Sequence, residues 1–297
     1  MVGQRVVVRR VLRGETGPRG GPAMTDVLGT CSAWGDGWCV VSVDAGPAAG
    51  TSVRIPIADI VSGKPVPPRA SPRSRVSPRD AQLRALALFP DLETRPVGDW
   101  LLRRSGTATA RRANSVLAMG PSGVDGDFEQ VVAFYAGVGQ RPVAAVLPDS
   151  GEDALFRAHG WVLESHDADT VFELAGVAAA RRALAHAPPP TVEVLLEDVG
   201  PVATARVVEG ATPVASGLAA YDDAWVGLRS IHVEEAHRRR GLGLAMMAAL
   251  LEWGAEQGAT TAYLQVLGDN APALAFYERL GFAPHHRYRY LAPPAVD

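Results

Sequence analysis

The 297-residue chain has one lysine, Lys64, and two cysteines, Cys31 and Cys39. Every other basic side chain is arginine, which reads as the codon bias of a GC-rich genome and not as a binding signal. Two thiols in so long a chain exclude a disulfide framework and argue for a reducing compartment. They flank Trp34-Gly-Asp-Gly-Trp38, a hairpin-turn sequence, and are expected as a buried thiol pair, with no disulfide and no metal site. No apolar run reaches the roughly 18 residues that a membrane-spanning helix needs. Met1 to Arg13 alternate valine with arginine and lack the apolar core of a secretory signal. A cytoplasmic protein away from membranes is expected. Charge of one sign is also missing. The net charge is −3, so no strong field draws the whole chain to nucleic acid.

What is present is ordinary globular composition, 47% apolar, at a length that suits about two domains. Residues 1–62 read as short strands punctuated by glycine and proline: Arg5 to Leu12, Asp26 to Ala33, Trp38 to Val43 and Ser52 to Ile57. That spacing predicts a small all-β barrel or roll. Residues 63–78 hold five prolines among arginines and serines and read as a linker.

Beyond it, Asp80 to Leu88 and Phe128 to Gly139 read as helices and Pro142 to Leu147 as a strand. Glu152 to His159 is a further helix, and a strand region opens at Gly160-Trp161. Alanine-rich residues 176–190, ending in Pro188-Pro-Pro190, mark another linker. Residues 191–297 repeat the order, with strands at Thr191 to Leu196, Val202 to Val208, Pro213 to Tyr221, Trp225 to Val233 and Thr261 to Val266. Leu242 to Gln257 carries Leu244, Met247, Ala248 and Leu251 at helical spacing. Ala271 to Leu280 is the last helix, and Gly281-Phe282 opens an expected strand pair.

Anchoring Gly139 on Gly258 sets Pro142 to Leu147 on Thr261 to Val266, and Phe156-Arg-Ala-His-Gly160-Trp161 on Tyr277-Glu-Arg-Leu-Gly281-Phe282. The chain therefore reads as two copies of one α/β unit, residues 79–175 and 191–297, the first of them worn.

Chemistry concentrates at His237-Arg-Arg-Arg-Gly241-Leu-Gly243-Leu244, between a strand and an apolar helix. Glycines there let the backbone approach an anion, and the first N–H groups of the helix have no intrahelical partner. Arg238, Arg239 and Arg240 add positive charge. This is a phosphate cradle. About 30 residues on comes Asn270…Phe276-Tyr277…Leu280-Gly281-Phe282.

Together the two segments resemble the GNAT N-acetyltransferase superfamily, the first matching its pyrophosphate loop as Arg238-x-x-Gly241-x-Gly243. The resemblance implies an α/β fold, a mixed central sheet flanked by helices, in tandem copies. It implies transfer of acetyl from acetyl-CoA to an amine, on a small molecule or a protein, without a metal. Arg238, Arg239, Arg240, Gly241, Leu242, Gly243 and Leu244 would hold the cofactor pyrophosphate. Ile231, His232 and Val233 would pair with its pantetheine arm, with an N–H near Val233 polarising the thioester carbonyl. Asn270 would hydrogen-bond the same arm or cap the helix that follows, or do both. Tyr277 would be the general acid. Strand positions that often hold a base are Gly227 and Arg229 here, which leaves Glu234, Glu235, His232, Asp222 and Asp223 as candidates, or a water chain. Arg229 could instead meet an acidic group on the acceptor.

The first copy lacks the cradle and has Phe156 where Tyr277 stands, so it is expected to bind no CoA and to wall the acceptor pocket. Arg111-Arg-Ala-Asn114-Ser115 is a polar cluster before a strand, and facing that pocket is the functional reading of it. The N-terminal strands resemble the SH3-like barrels fused to some bacterial members, with a structural or dimerising role expected. The competing reading is an acyl-CoA sensor without turnover.

Overall fold

The computed structural model describes residues 2–18, 20–44, 50–66, 72–164, 168–186 and 190–295. The chain divides into two units, Met1–Ser71 and Pro72–Asp297.

The first unit is one antiparallel sheet of β1 (Arg5–Thr16), β2 (Pro22–Gly35), β3 (Trp38–Val43), β4 (Ser52–Pro56) and β5 (Ile60–Pro65), in the order β4-β3-β2-β1-β5. Its core alternates along the strands: Val6 and Val8 of β1, Val27 and Cys31 of β2, Cys39, Val41 and Val43 of β3, and Ile55 of β4. Both cysteines are buried and free, and burial pushes the Cys39 thiol up to about 11. The β2–β3 turn places Asp36 and Gly37 at positive φ, 50° and 80°, the turn that matches strand twist. Of the barrel or roll expected from the sequence, the described residues form an open sheet and not a closed barrel. Among the described residues β4 and β5 are opposite free edges, because β5 turns back to pair with β1 (Val6 opposite Pro65) and not with β4. Residues 63–65, placed in the linker by sequence, belong to β5, and residues 67–71 of that linker lie outside the described residues.

The second unit begins with α1 (Pro78–Arg84), capped by the Ser77 hydroxyl on the Asp80 N–H at 3.0 Å, then a 3₁₀ turn, Ala85–Leu88. There follow β6 (Leu92–Val97), β7 (Trp100–Ser105), β8 (Val116–Ala118), α2 (Asp127–Gly137), β9 (Ala144–Val146), α3 (Gly151–Ala158), β10 (Val162–Leu163) and β11 (Thr170–Gly176). Next come α4 (Val177–His186), β12 (Leu195–Val199), β13 (Val202–Glu209), β14 (Thr212–Asp222), β15 (Trp225–Val233), α5 (Leu242–Glu256), β16 (Thr261–Leu267), α6 (Ala271–Arg279) and β17 (Ala283–Ala292). Strand β6 has no counterpart in the sequence reading, and three further elements differ from it. Residues 176–190 hold α4, whose Val177, Ala180 and Leu184 are buried in the core with α5. The strand expected from Thr191 starts at Leu195. The final strand pair is a single long strand, β17.

All these strands make one sheet, β12-β13-β14-β15-β16-β11-β17-β9-β8-β7-β6, with β10 paired to β17. The parallel pairs are β15 with β16 and β8 with β9, one in each copy. The copies exchange their last strands: β11 pairs with β16 of the second copy, and β17 pairs with β9 of the first. Residues 72–297 are therefore one unit and not two sequential domains. The aligned helix ends of the repeat are the same Schellman turn. Gly160 and Gly281 sit at φ 80° and 84°, and the Trp161 and Phe282 N–H groups donate to Phe156 and Tyr277 carbonyls at 3.0 and 3.1 Å.

Candidate active site

The parallel ladder of β15 and β16 runs from Trp225 opposite Thr261 only as far as Leu228 opposite Leu264. A bulge follows in β15, where Ser230 has φ 55° and two residues, Ser230 and Ile231, face Gly217 on β14. The strands part there, and Ile231, His232 and Val233 line the opening. The Glu234 N–H donates to Val214 O on the β14 side at 2.9 Å. Successive N–H groups of an extended strand point to opposite sides, so the Val233 N–H faces the opening.

The turn from β15 into α5 brings Arg239 (φ 64°) and Gly241 (φ 80°) into left-handed backbone. Gly241 is the α5 N-cap and has no side chain to satisfy the exposed N–H groups of Leu242 and Gly243. They open into a cleft of about 600 Å³ lined by Ile231 to Val233, Arg238, Arg239, Gly241 to Leu244, Asn270, Phe276 and Tyr277. Arg238, Arg239 and Arg279 are the charged lining residues, and no carboxylate is among them. The Arg238 Nε donates to Val233 O at 3.2 Å, which ties the loop to the strand end.

The structure thus brings together every residue expected at the cofactor except one. Arg240 turns away to pair with Glu209 at 2.8 Å, beside the His237–Glu209 contact at 3.3 Å, and the Arg240 hydrogen bond above all holds Glu209 below the usual carboxylate range. Asn270 caps α6, its Oδ1 accepting from the Ala273 N–H at 3.2 Å, while the side chain also lines the cleft. Pro272, Ala273, Phe276 and Arg279 line it as well. Their signal was available, because Asn270, Ala273, Phe276 and Tyr277 stand at i, i+3, i+6 and i+7, one face of α6.

Tyr277 is half-buried, facing the cleft from α6, and its hydroxyl has no hydrogen-bond partner among the described residues. Burial, with a smaller contribution from Glu173, pushes its phenol up to about 12. Glu173 itself, on β11, is 3% exposed with Oε2 unpartnered, and burial together with Glu278 raises it to about 7. This carboxyl prefers its neutral form in the folded chain. As pH rises from about 4.5 to about 7 the unfolded chain releases the proton first, so the folded state loses stability, by up to roughly 3 kcal/mol. Glu173→Gln is therefore expected to melt several degrees above wild type at pH 8 and to show no gain at pH 4.5. Parallel melting curves at both pH values count against this account of Glu173.

None of the expected bases is held ready beside Tyr277. Asp222 and Asp223 pair with Arg84 at 3.1 and 2.9 Å, at the far end of β15, roughly 26 Å along the strand from Val233. Glu234 contacts His232 at 3.4 Å with both side chains exposed, and of the five candidates only His232 lines the cleft. Gly227 is glycine because Tyr263 lies across it; a Cβ there would overlap the phenol, whose hydroxyl donates to Arg84 O at 2.8 Å.

The first copy shows how a cradle is lost. The N-cap of α2 is Gly126 at φ 67°, again without a side-chain cap, but the next residue is Asp127. Its carboxylate accepts the Phe128 N–H at 2.7 Å, and Ser122 Oγ donates to its other oxygen. Phe156, the counterpart of Tyr277, is fully buried between Trp100 and Trp161, ring centroids 5.5 and 4.8 Å away. Among the described residues no three His, Cys, Asp or Glu side chains gather as a metal site, and no helix is long and apolar enough to cross a membrane.

Comparison with known proteins finds a family model, described as "Probable histone acetyltransferase Rv0428c C-terminal", that matches residues 79–291. Rv0428c of Mycobacterium tuberculosis is 30% identical over 248 residues, 73% of this chain and 76% of its own length. The uncharacterized N-acetyltransferase YobR of Bacillus subtilis is 38% identical over 77 residues, 25% of this chain; the match spans 31% of YobR. A GCN5-related N-acetyltransferase from Kribbella flavida shares the fold at a TM-score of 0.59 and 17% identity, covering 74% of this chain and 96% of its own.

Proposed function

The chain belongs to the GNAT N-acetyltransferase superfamily, in the family of the Rv0428c C-terminal region, and on that premise we propose that it transfers acetyl from acetyl-CoA to a primary amine by direct attack in a ternary complex. The observation that carries this reading is the uncapped N-terminus of α5 opening into the same cleft as Tyr277, where β15 and β16 part. Acetyl-CoA brings an acyl group already activated as a thioester. Its diphosphate suits the Leu242 and Gly243 N–H groups with Arg238, Arg239 and Arg279 around them. The arm would lie along Ile231 to Val233, with Asn270 opposite, and the Val233 N–H would stabilise charge developing on the thioester oxygen.

The amine nitrogen bonds to the carbonyl carbon as the carbon–sulfur bond breaks. Tyr277 gives its phenolic proton to the departing sulfur, and the nitrogen loses its own proton to water, with His232 the cleft residue able to relay it. At a raised pKa of about 12 the phenol keeps its proton throughout the physiological range, as an acid must. The test is release of free thiol from acetyl-CoA across a panel of amines. Amine-dependent release is expected. Saturable acetyl-CoA binding with no amine-dependent release overturns the transfer reading in favour of an acyl-CoA sensor.

A further inference from the structure

On the face of the sheet opposite α5 and α6, the mouth of the opening is lined by unused hydrogen-bond donors. Arg229 and Gln265 are the first residues past the last parallel pair, Leu228 opposite Leu264, one on each strand. Both side chains lie on the face that carries Trp225 and Tyr263, since strand neighbours alternate and Leu228, Leu264 and Val266 join the core under α5. The Arg229 guanidinium lies 4.6 Å over the Phe89 ring, and its Nε is buried without a partner. The Gln265 amide is oriented by a relay: Tyr290 Oη donates to Tyr288 Oη at 3.3 Å, and Tyr288 Oη donates to Gln265 Oε1. That leaves the Gln265 Nε2 buried, pointing a donor with nothing to receive it. Arg112, from the first copy, reaches across to Gln265 O at 3.3 Å.

Two guanidiniums side by side repel, and burial and Arg112 together lower the Arg229 pKa from its ordinary value while Asp91 opposes them. Neither arginine forms an ion pair among the described residues. The carboxylate that acts on Arg229 is Asp91, and it is engaged by the Ser105 and Thr107 hydroxyls at 2.7 and 2.9 Å. Two half-buried guanidiniums without a carboxylate partner, beside two buried donors left unpaired, Arg229 Nε and Gln265 Nε2, make a place that something anionic would complete.

Resting on the acetyl-transfer reading, we propose that the acceptor bears an anionic group close to its amine, and that Arg112, Arg229 and the Gln265 amide bind that group. A carboxylate or a phosphate supplies the required oxygens, and a planar guanidinium takes either in a two-point contact. A cationic lysine-rich segment is the wrong partner for this mouth. Arg112 also gives the first copy a function: it supplies an acceptor residue to the second copy's centre. The α1 to β6 segment supplies the apolar wall there, through Phe89.

The test compares kcat/KM for L-alanine, L-phenylalanine and L-glutamate with that for their α-amides, and for phosphoethanolamine with that for ethanolamine. The anionic member of a pair is expected to be favoured by on the order of 10-fold or more, and the pair that shows it separates carboxylate from phosphate. Arg112→Gln and Arg229→Gln are expected to reduce that preference to near one, chiefly through the acceptor KM, with acetyl-CoA affinity retained. Arg112→Lys is expected to recover part of it. Equal use of both members, or a preference unchanged in both variants, overturns the proposal. If no amine is turned over, calorimetric titration of the same acids and phosphoethanolamine into the CoA complex decides. Binding that Arg112→Gln weakens supports the anion site even as the transfer reading fails; absence of binding overturns the site. Acetyl-CoA affinity and melting of each variant separate a lost contact from a lost fold.

Discussion

Gly243→Asp is expected to weaken acetyl-CoA binding on the order of 100-fold while leaving the melting temperature within a few degrees of wild type. The first copy is the precedent within the chain. There the helix start has kept its left-handed glycine, Gly126 at φ 67°, and has filled the anion position with the carboxylate of Asp127. In the second copy the first helical residue, Leu242, is buried and cannot be exchanged, but Gly243 faces the cleft, and a Cβ there meets only the Phe276 ring at 3.7 Å. A carboxylate so placed costs the helix nothing, since a negative charge in its first turn is worth roughly 0.3–1 kcal/mol in its favour. It opposes the diphosphate, because two unit charges about 4 Å apart near a protein surface interact by some 4 kcal/mol. Calorimetry with acetyl-CoA and a melting curve read the two effects separately. Gly243→Asn, equal in size and uncharged, is expected to lose far less. If the aspartate variant binds acetyl-CoA within threefold of wild type, the helix start is not where the diphosphate sits.

The legible part of this protein is the part that is local. Trp225–Val233 was readable to the residue from its apolar run and flanking turns, and α5 and α6 from helical spacing and glycine stops. The cleft was readable because its parts are short segments whose backbone chemistry is written in their own residues. The exchange of β11 and β17 was not readable, because strand partners are chosen by the assembled sheet; either strand satisfies its own pattern beside β16 or beside β9. Helix α4 was missed since alanine-rich sequence beside a triple proline looks like a boundary, and only packing on α5 buries its Val177, Ala180 and Leu184. Arg240 shows the limit for single side chains. Three consecutive arginines look alike in a cradle, and the one that leaves is decided by Glu209 on β13, distant in sequence. Gln265 carried no motif at all and acquires meaning only where the strands part, whereas Arg112 stands in the polar cluster of residues 111–115 that the sequence already sets toward the acceptor pocket.

Tyr277→Phe is expected to lower kcat on the order of 100-fold, the lower range for loss of a general acid, with the acetyl-CoA dissociation constant and the melting temperature little changed. The fold has no stake in the hydroxyl, which finds no hydrogen-bond partner among the described residues, whereas the ring packs against Phe276 and Phe282 with centroids 5.2 and 5.9 Å away. Phe156 in the first copy fills the corresponding helix position without an oxygen. In wild type the phenol stays protonated until about pH 12, so no fall in rate from its ionisation is expected through pH 10. The variant isolates one proton. A loss confined to kcat puts that proton on the departing sulfur. A loss confined to the KM for acetyl-CoA would make Tyr277 a wall of the cleft and leave protonation to water, and a kcat within threefold of wild type would remove it from the chemistry altogether.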